Sequence, residues 1–154
     1  MASYGVSNDQ AGTPQATTTT YKTQTQITGA TATLRRAFLF EAIFGLTGTP
    51  ANNSYTMALA RQSTLGTGTA LTPSPLDLAD AAAGTVGTGN FTAEPTTGVT
   101  LLAFPLNQQS SARWVAYGDG QRMVVPATNI TGIGAMAKSS AGTVTSIIAF
   151  QFAE

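Results

Sequence analysis

The sequence predicts an all-β domain of about eight short strands, arranged as a sandwich or a barrel. Three observations carry that expectation. Apolar and polar residues alternate over short runs separated by turns rich in Gly, Pro, Asn and Thr. Thr and Ala make up about a third of the 154 residues, and 16 more are Gly, a composition that favours strands and turns over long charged helices. Only 9% of residues are charged, against about 25% in an average globular chain.

Residues 1–20 contain few large apolar groups besides Tyr4 and Val6. Such a stretch cannot offset its own ordering entropy. It reads as a disordered leader, or as an extended arm that orders on a neighbouring subunit with Tyr4 and Val6 as anchors. From Tyr21 the pattern becomes strand-like, with Tyr21, Thr23, Thr25 and Ile27 on one face. The run Leu34 to Leu46 is apolar on both faces, with Phe38, Phe40 and Phe44 on one side and Leu39 and Ile43 on the other. A helix fits these residues too, but aromatic density and Gly-Thr-rich flanks favour a strand buried in a sandwich or at a subunit contact.

Tyr55, Met57, Leu59 and Arg61 alternate with Thr56, Ala58, Ala60 and Gln62 in another strand. The stretch Leu65 to Asn90 is irregular, and Pro75 and Asp77 are placed to open a short helix ending near Gly84. A loop of this length is usually functional or packed on a partner. Strand signals return at Phe91–Ala93 and around Val99, Leu101 and Ala103, where Pro95 and Pro105 point to edges or bulges. In Arg113–Pro126, Trp114–Tyr117 and Met123–Val125 flank Gly118-Asp119-Gly120, the pattern of a β-hairpin whose turn uses positive φ. The last strands are Ile130–Met136 and Thr143–Phe152, the latter with Val144, Ile148, Phe150 and Phe152 on one face.

The chemistry-bearing residues are sparse. Seven basic and seven acidic residues cancel, leaving no electrostatic footprint for nucleic acid or an anionic membrane. There is no Cys and no His, which excludes disulfides, thiolate nucleophiles, histidine-dependent triads and the usual zinc sites. Asp77 and Asp80 lie in a small-residue segment with no basic neighbour and read as caps rather than as an acid–base or calcium pair. The glycines at 66, 68, 84, 87 and 89 lack Walker or dinucleotide-binding spacing. Leu34-Arg35-Arg36-Ala37-Phe38-Leu39 resembles a twin-arginine export motif, but its apolar run is short, contains Glu41 and starts deep in the chain. Asn52, Asn90 and Asn129 head sequons that a Ser/Thr-rich chain generates by chance. Trp114 and Tyr117 could form a sugar-stacking platform, although a lone Trp is more often a core or interface anchor. No acid–base constellation or cofactor site is visible, and the chain is not expected to be an enzyme.

Three segments together, Leu65–Asp80 (LGTGTALTPSPLDLAD), Phe91-Thr92-Ala93-Glu94-Pro95 and Trp114–Pro126, resemble tailed-bacteriophage capsid decoration (cement) proteins. The likeness covers about residues 21–154 and leaves the leader out. It implies an antiparallel jelly-roll β-sandwich of about eight strands over 21–154; residues 1–20, outside the likeness, are read from their composition as a flexible or partner-bound extended N-terminal arm. It also implies a homotrimer on the virion surface, assembled in the host cytoplasm, with the major capsid protein as partner. No cofactor, metal, nucleic acid, membrane or small-molecule substrate is implied. The interface candidates are Tyr4, Val6, Tyr21, Trp114 and Tyr117. A tail or head-fibre subunit, or an exported carbohydrate-binding sandwich, are the alternatives.

Overall fold

Alternation in the last strand sets the frame of the molecule. In the computed structural model, which describes residues 1–141 and 143–154, Val144, Ser146, Ile148, Phe150 and Phe152 all point inward and are buried. This is the face that the sequence pattern assigns to the core. In chain order the strands are β1 (Ser3–Ser7), β2 (Ala16–Thr17), β3 (Lys22–Gly29), β4 (Ala37–Thr47), β5 (Ser54–Gln62), β6 (Thr67–Leu71) and β7 (Ser74–Pro75). They continue as β8 (Thr85–Ala93), β9 (Thr97–Asn107), β10 (Ala112–Val115), β11 (Met123–Val125), β12 (Gly132–Ser139) and β13 (Val144–Ala153).

Two antiparallel sheets pack face to face as a β-sandwich. The first runs β10-β4-β13-β1-β7, with β11 also on β4 and β2 also on β13; the second runs β6-β8-β3-β12-β5-β9. Between them lie Tyr4, Leu39, Phe44, Ile148, Phe150 and Phe152 from the first sheet, facing Ile27, Tyr55, Met57, Leu59, Leu71 and Ile133 from the second. Each such side chain contributes about 1.5–3 kcal/mol on burial.

The first strand corrects the expectation of a free arm. β1 pairs with β13 from Ser3↔Ala153 to Ser7↔Ala149, and β7 pairs on its other flank. Tyr4 and Val6 therefore sit in this protomer's own core, Tyr4 stacked on Phe152 at 5.6 Å. Ordering these five residues costs about 5–10 kcal/mol of backbone entropy, whereas burying two side chains contributes only about 3–6 kcal/mol. Backbone pairing on both flanks closes the gap, and local composition cannot reveal it. Asn8 then acts as a surrogate peptide group: its Nδ2 donates to the Ser146 carbonyl (2.8 Å) and its Oδ1 accepts from the Ile148 N–H (2.9 Å).

The Arg113–Pro126 stretch is not a hairpin. β10 and β11 both pair antiparallel with β4, Ala112–Val115 against Phe44–Glu41 and Met123–Val125 against Leu39–Ala37. They are two halves of one edge strand, and Ala116 still donates to the Phe40 carbonyl before the chain bulges out through a 3₁₀ turn at Asp119–Gln121. Neither Asp119 nor Gly120 takes the positive φ that a two-residue hairpin requires. β4 itself holds a bulge: Gln151 pairs with Glu41 and Phe152 with Leu39, which leaves Phe40 unpaired. The inward face consequently switches from Leu39 to Ala42 and Phe44. Phe38 and Phe44 end on opposite faces, contrary to simple alternation.

Every residue from Thr23 to Gly29 in β3 is buried, although most are polar. The segment after β5 explains this by crossing the outer face of the second sheet. Gln26 donates to the Thr64 carbonyl (2.9 Å) and accepts from the Gly66 N–H (3.2 Å), while Gln62 donates to the Thr23 hydroxyl (3.0 Å). The link from β8 to β9 runs beside it, joined by Ser63 N–H to the Thr96 carbonyl (2.9 Å) and Thr96 N–H to the Thr64 hydroxyl (2.7 Å). This strap covers Ala58, Ala60 and Met136. It lies close because position 134 is Gly: a Cβ there would collide with the Gln62 amide. The short helix expected after Pro75 is instead a turn, with Asp77 Oδ1 accepting from the Ala79 N–H (2.9 Å). The expected edge role of Pro105 holds, because β9 is an outer strand with a register shift opposite Leu59 and Ala60.

Between the sheets, Tyr55 and Thr17 both share hydrogen bonds with the buried Ser146 hydroxyl. Burial pushes the Tyr55 phenol up to about 12 from 10.0, against the opposing pull of the two hydroxyls. The folded state thus keeps a proton that the unfolded chain releases near its ordinary value. Stability contributed by Tyr55 is intact below pH 10 and is lost as pH rises from 10 toward 12. In chemical denaturation across that window, Tyr55→Phe is expected to flatten the alkaline decline. Asn8→Ala is expected to cost about 2–4 kcal/mol by stranding two buried backbone groups of β13, read as a lower urea midpoint.

Candidate functional site

The strand directions bring one set of loops to a common end. β1 and β4 start there, β3 and β13 finish there, and the connections 30–36 (β3 to β4), 76–84 (β7 to β8) and 126–131 (β11 to β12) lie beside them. Hydrogen bonds weld this pole together. Ala2 and Glu154 exchange backbone bonds (3.2 and 3.0 Å), and Glu154 Oε2 accepts from the Gly84 N–H (2.8 Å). Ala30 N–H donates to the Gly84 carbonyl (2.8 Å), Leu76 N–H to Ser3 (2.8 Å) and Gly29 N–H to Thr128 (2.9 Å). The Tyr4 hydroxyl holds the Ala81 carbonyl (3.0 Å). Arg122, from the bulge between β10 and β11, pairs with Asp119 (2.9 Å) and contacts the Met1 sulfur.

On this rigid platform sit Met1, Leu34, Leu76, Leu78, Tyr117 and Ile130, all exposed; Leu78 and Tyr117 are almost fully so, at 95% and 93%. The opposite pole is built from residues 9–20, 48–53, 107–111 and the described residues after β12, and the exposed large apolar side chain beside it is Tyr21, at its margin. Its tips are Thr, Ser, Asn and Gln. The two ends of the sandwich are therefore chemically distinct. Isolated exposed apolar residues are ordinary on a protein surface, but a cluster at one end marks a contact region.

No known family model matches the chain, and no curated protein matches it.

The five residues singled out from the sequence separate. Tyr4 and Val6 lie in the core and are closed to a neighbour. Trp114, opposite Ala42, is half-buried and packs on the core from the edge of the first sheet. Tyr117 projects from the bulge beside it, its N–H donating to Gln121 Oε1 (3.0 Å). Tyr21 stands near the polar pole, with the Lys138 ammonium 4.7 Å from its ring centroid. Of the five, only Tyr117 belongs to the apolar pole.

Sequence reading missed Leu34, Leu76, Leu78 and Ile130, although a signal existed for two of them. Leu76 and Leu78 are large apolar residues in a turn-forming context, Pro75-Leu76-Asp77-Leu78, where no strand periodicity asks for them, whereas Leu34 and Ile130 read as part of the strand runs that follow them. The outer face of the first sheet adds a second feature. Buried Glu41 accepts from Arg113 Nε there, and this hydrogen bond, followed by the carboxylate's charge, raises the Arg113 pKa. Among the described residues no group of three potential metal ligands occurs, and no helix is long and apolar enough to cross a membrane.

Because Leu78 and Tyr117 touch little of their own protomer, the double variant Leu78→Ser/Tyr117→Ser is expected to change unfolding free energy by no more than about 0.5 kcal/mol. Matching urea midpoints for variant and parent check this.

Proposed function

We propose that the protein is a structural virion component, a decoration (cement) protein. In this reading it binds the outer face of a phage capsid as a homotrimer and stabilises the joints between major capsid protein subunits. The observation that carries the reading is the gathering of six of the eleven exposed large apolar side chains of the described residues, the two most exposed included, at one hydrogen-bonded pole of a sandwich with little charge. A shell lined by repeated joints offers such a pole a place to bury those side chains. Apolar burial at about 25 cal/mol per Å² supplies attraction without ion pairs, while association entropy limits how much becomes affinity.

The resemblance of Leu65–Asp80, Phe91–Pro95 and Trp114–Pro126 to decoration proteins supports the same assignment. Leu76 and Leu78 of the first segment and Tyr117 of the third stand on the apolar pole. With Tyr4 and Val6 committed to the core, the pole loops rather than an N-terminal arm are the proposed contact with the capsid. A β-sandwich held by pairing across both sheets suits a part that must keep its shape while the shell beneath it is under load.

Two measurements test the proposal. Light scattering is expected to give three times the 15.7 kDa chain mass. Co-sedimentation with undecorated heads of the encoding phage is expected to show saturable binding that changes little between low and high salt. The Leu78→Ser/Tyr117→Ser variant is expected to lower head occupancy at least about tenfold. A monodisperse monomer that never co-sediments with heads overturns the assignment.

A further inference from the structure

The polar pole holds a feature that capsid binding does not use. A cleft of about 340 Å³ opens there, lined by Thr19, Ser54, Thr56, Lys138, Ser139 and Ser140. Its floor follows from strand register: Lys138 of β12 lies opposite Thr56, and Ser139 opposite Tyr55, on β5. Ser139 is already engaged, its hydroxyl accepting from Gln108 Nε2 (2.6 Å) and donating to the Ala141 carbonyl (2.7 Å). This fixes the back of the cleft. The hydroxyls of Thr19, Ser54, Thr56 and Ser140 make no side-chain hydrogen bond among the described residues.

Lys138 is the cation of this cleft. Three cations elsewhere have a close acid, Lys22 on Glu94, Arg113 on Glu41 and Arg122 on Asp119, and Arg35, Arg36 and Arg61, which line no part of the cleft, have none among the described residues. Lys138 forms no salt bridge among the described residues, and no acidic residue lines the cleft. Its ammonium is instead held over the Tyr21 ring, 4.7 Å from the centroid, a geometry that restrains the side chain without neutralising it. A half-buried, uncompensated cation among free hydroxyls is an incomplete polar constellation. What completes it is one negative charge attached to several hydroxyl groups.

We propose that this cleft binds a sugar acid, with the carboxylate on Lys138 and the ring hydroxyls on Ser54, Thr56 and Ser140. A neutral sugar leaves the ammonium unpaired. A bare carboxylate leaves the hydroxyls unused. The site lies at the end opposite the apolar pole and involves neither Trp114 nor Tyr117. It is independent of whether the protein binds a capsid.

The test is amide-resolved NMR titration of the full chain with galacturonic acid, galactose, acetate and inorganic phosphate. Galacturonic acid is expected to shift the amides of Ser54, Thr56 and Lys138, and to bind at least about tenfold more tightly than the other three. Lys138→Gln is expected to weaken it about tenfold or more with an unchanged Tm, Lys138→Arg to retain most binding, and Thr56→Val to weaken it severalfold. A tetragalacturonide arm separates the source of the ligand: tighter binding than the monomer assigns the site to a polysaccharide, and equal binding to the free acid. The proposal is overturned if galacturonic acid binds no better than acetate or phosphate. Equal binding by Lys138→Gln, or shifts confined to other regions, overturns it as well.

Discussion

Strand β13 must have its buried backbone and hydroxyl groups satisfied from both sides, and the rest of the molecule is arranged to meet that demand. β4 covers one flank over almost its whole length, while β1 and β2 share the other. The two peptides left over in the gap between β1 and β2 are taken by the Asn8 side chain. The one hydroxyl that β13 sends into the core, Ser146, is shared by Thr17 and by Tyr55 from the opposing sheet. An interior of low polarity makes each of these bonds expensive to lose. The first seventeen residues are thus bound to the last ten by polar bookkeeping as much as by apolar contact.

The second sheet solves a different problem. Its order places β5 and β6, consecutive in sequence, on opposite sides of β12, β3 and β8. The chain crosses the sheet's outer surface, so a face that would normally be wet becomes buried. Buried glutamines become useful in that setting: Gln26 and Gln62 hold the crossing segment at main-chain and hydroxyl groups. Small residues at Ala58, Ala60 and Gly134 leave room for it. Asn90, the one non-glycine residue with a left-handed φ (47°) among the described residues, marks where β8 stops pairing with β3 and turns toward the same crossing. Asn tolerates that conformation better than most residues.

Those two solutions mark what local patterns convey and what they do not. The strand character of β3, β4, β5 and β13, the all-β class and the edge position of Pro105 follow from alternation and residue shape. Partner choice does not. Val115 and Met123 have the same propensities whether they face each other or a third strand, so a hairpin and a split edge read alike. The Phe40 bulge is equally silent, since one inserted residue changes no composition yet reverses the facing of half of β4. Tyr4 and Val6 look stranded in a polar leader because their pairing partners lie about 150 residues away in sequence. As for the candidate site, the eye goes to aromatics, whereas five of the six exposed pole residues are aliphatic, placed in loops and at the N-terminus.

The long free margins of the two sheets are also shaped in a particular way. One is split between β10 and β11 by an outward bulge, and the other, β9, carries Pro105 and a register shift. The opposite margins are β7, of two residues, and β6, of five. None offers a long, flat row of unpaired peptide groups onto which an identical strand could add. For a chain with no net charge to hold copies apart, this geometry takes over the job usually given to electrostatic repulsion. Edge-to-edge strand addition between copies is thereby disfavoured, which leaves loop tips and side chains as the surfaces through which copies can meet.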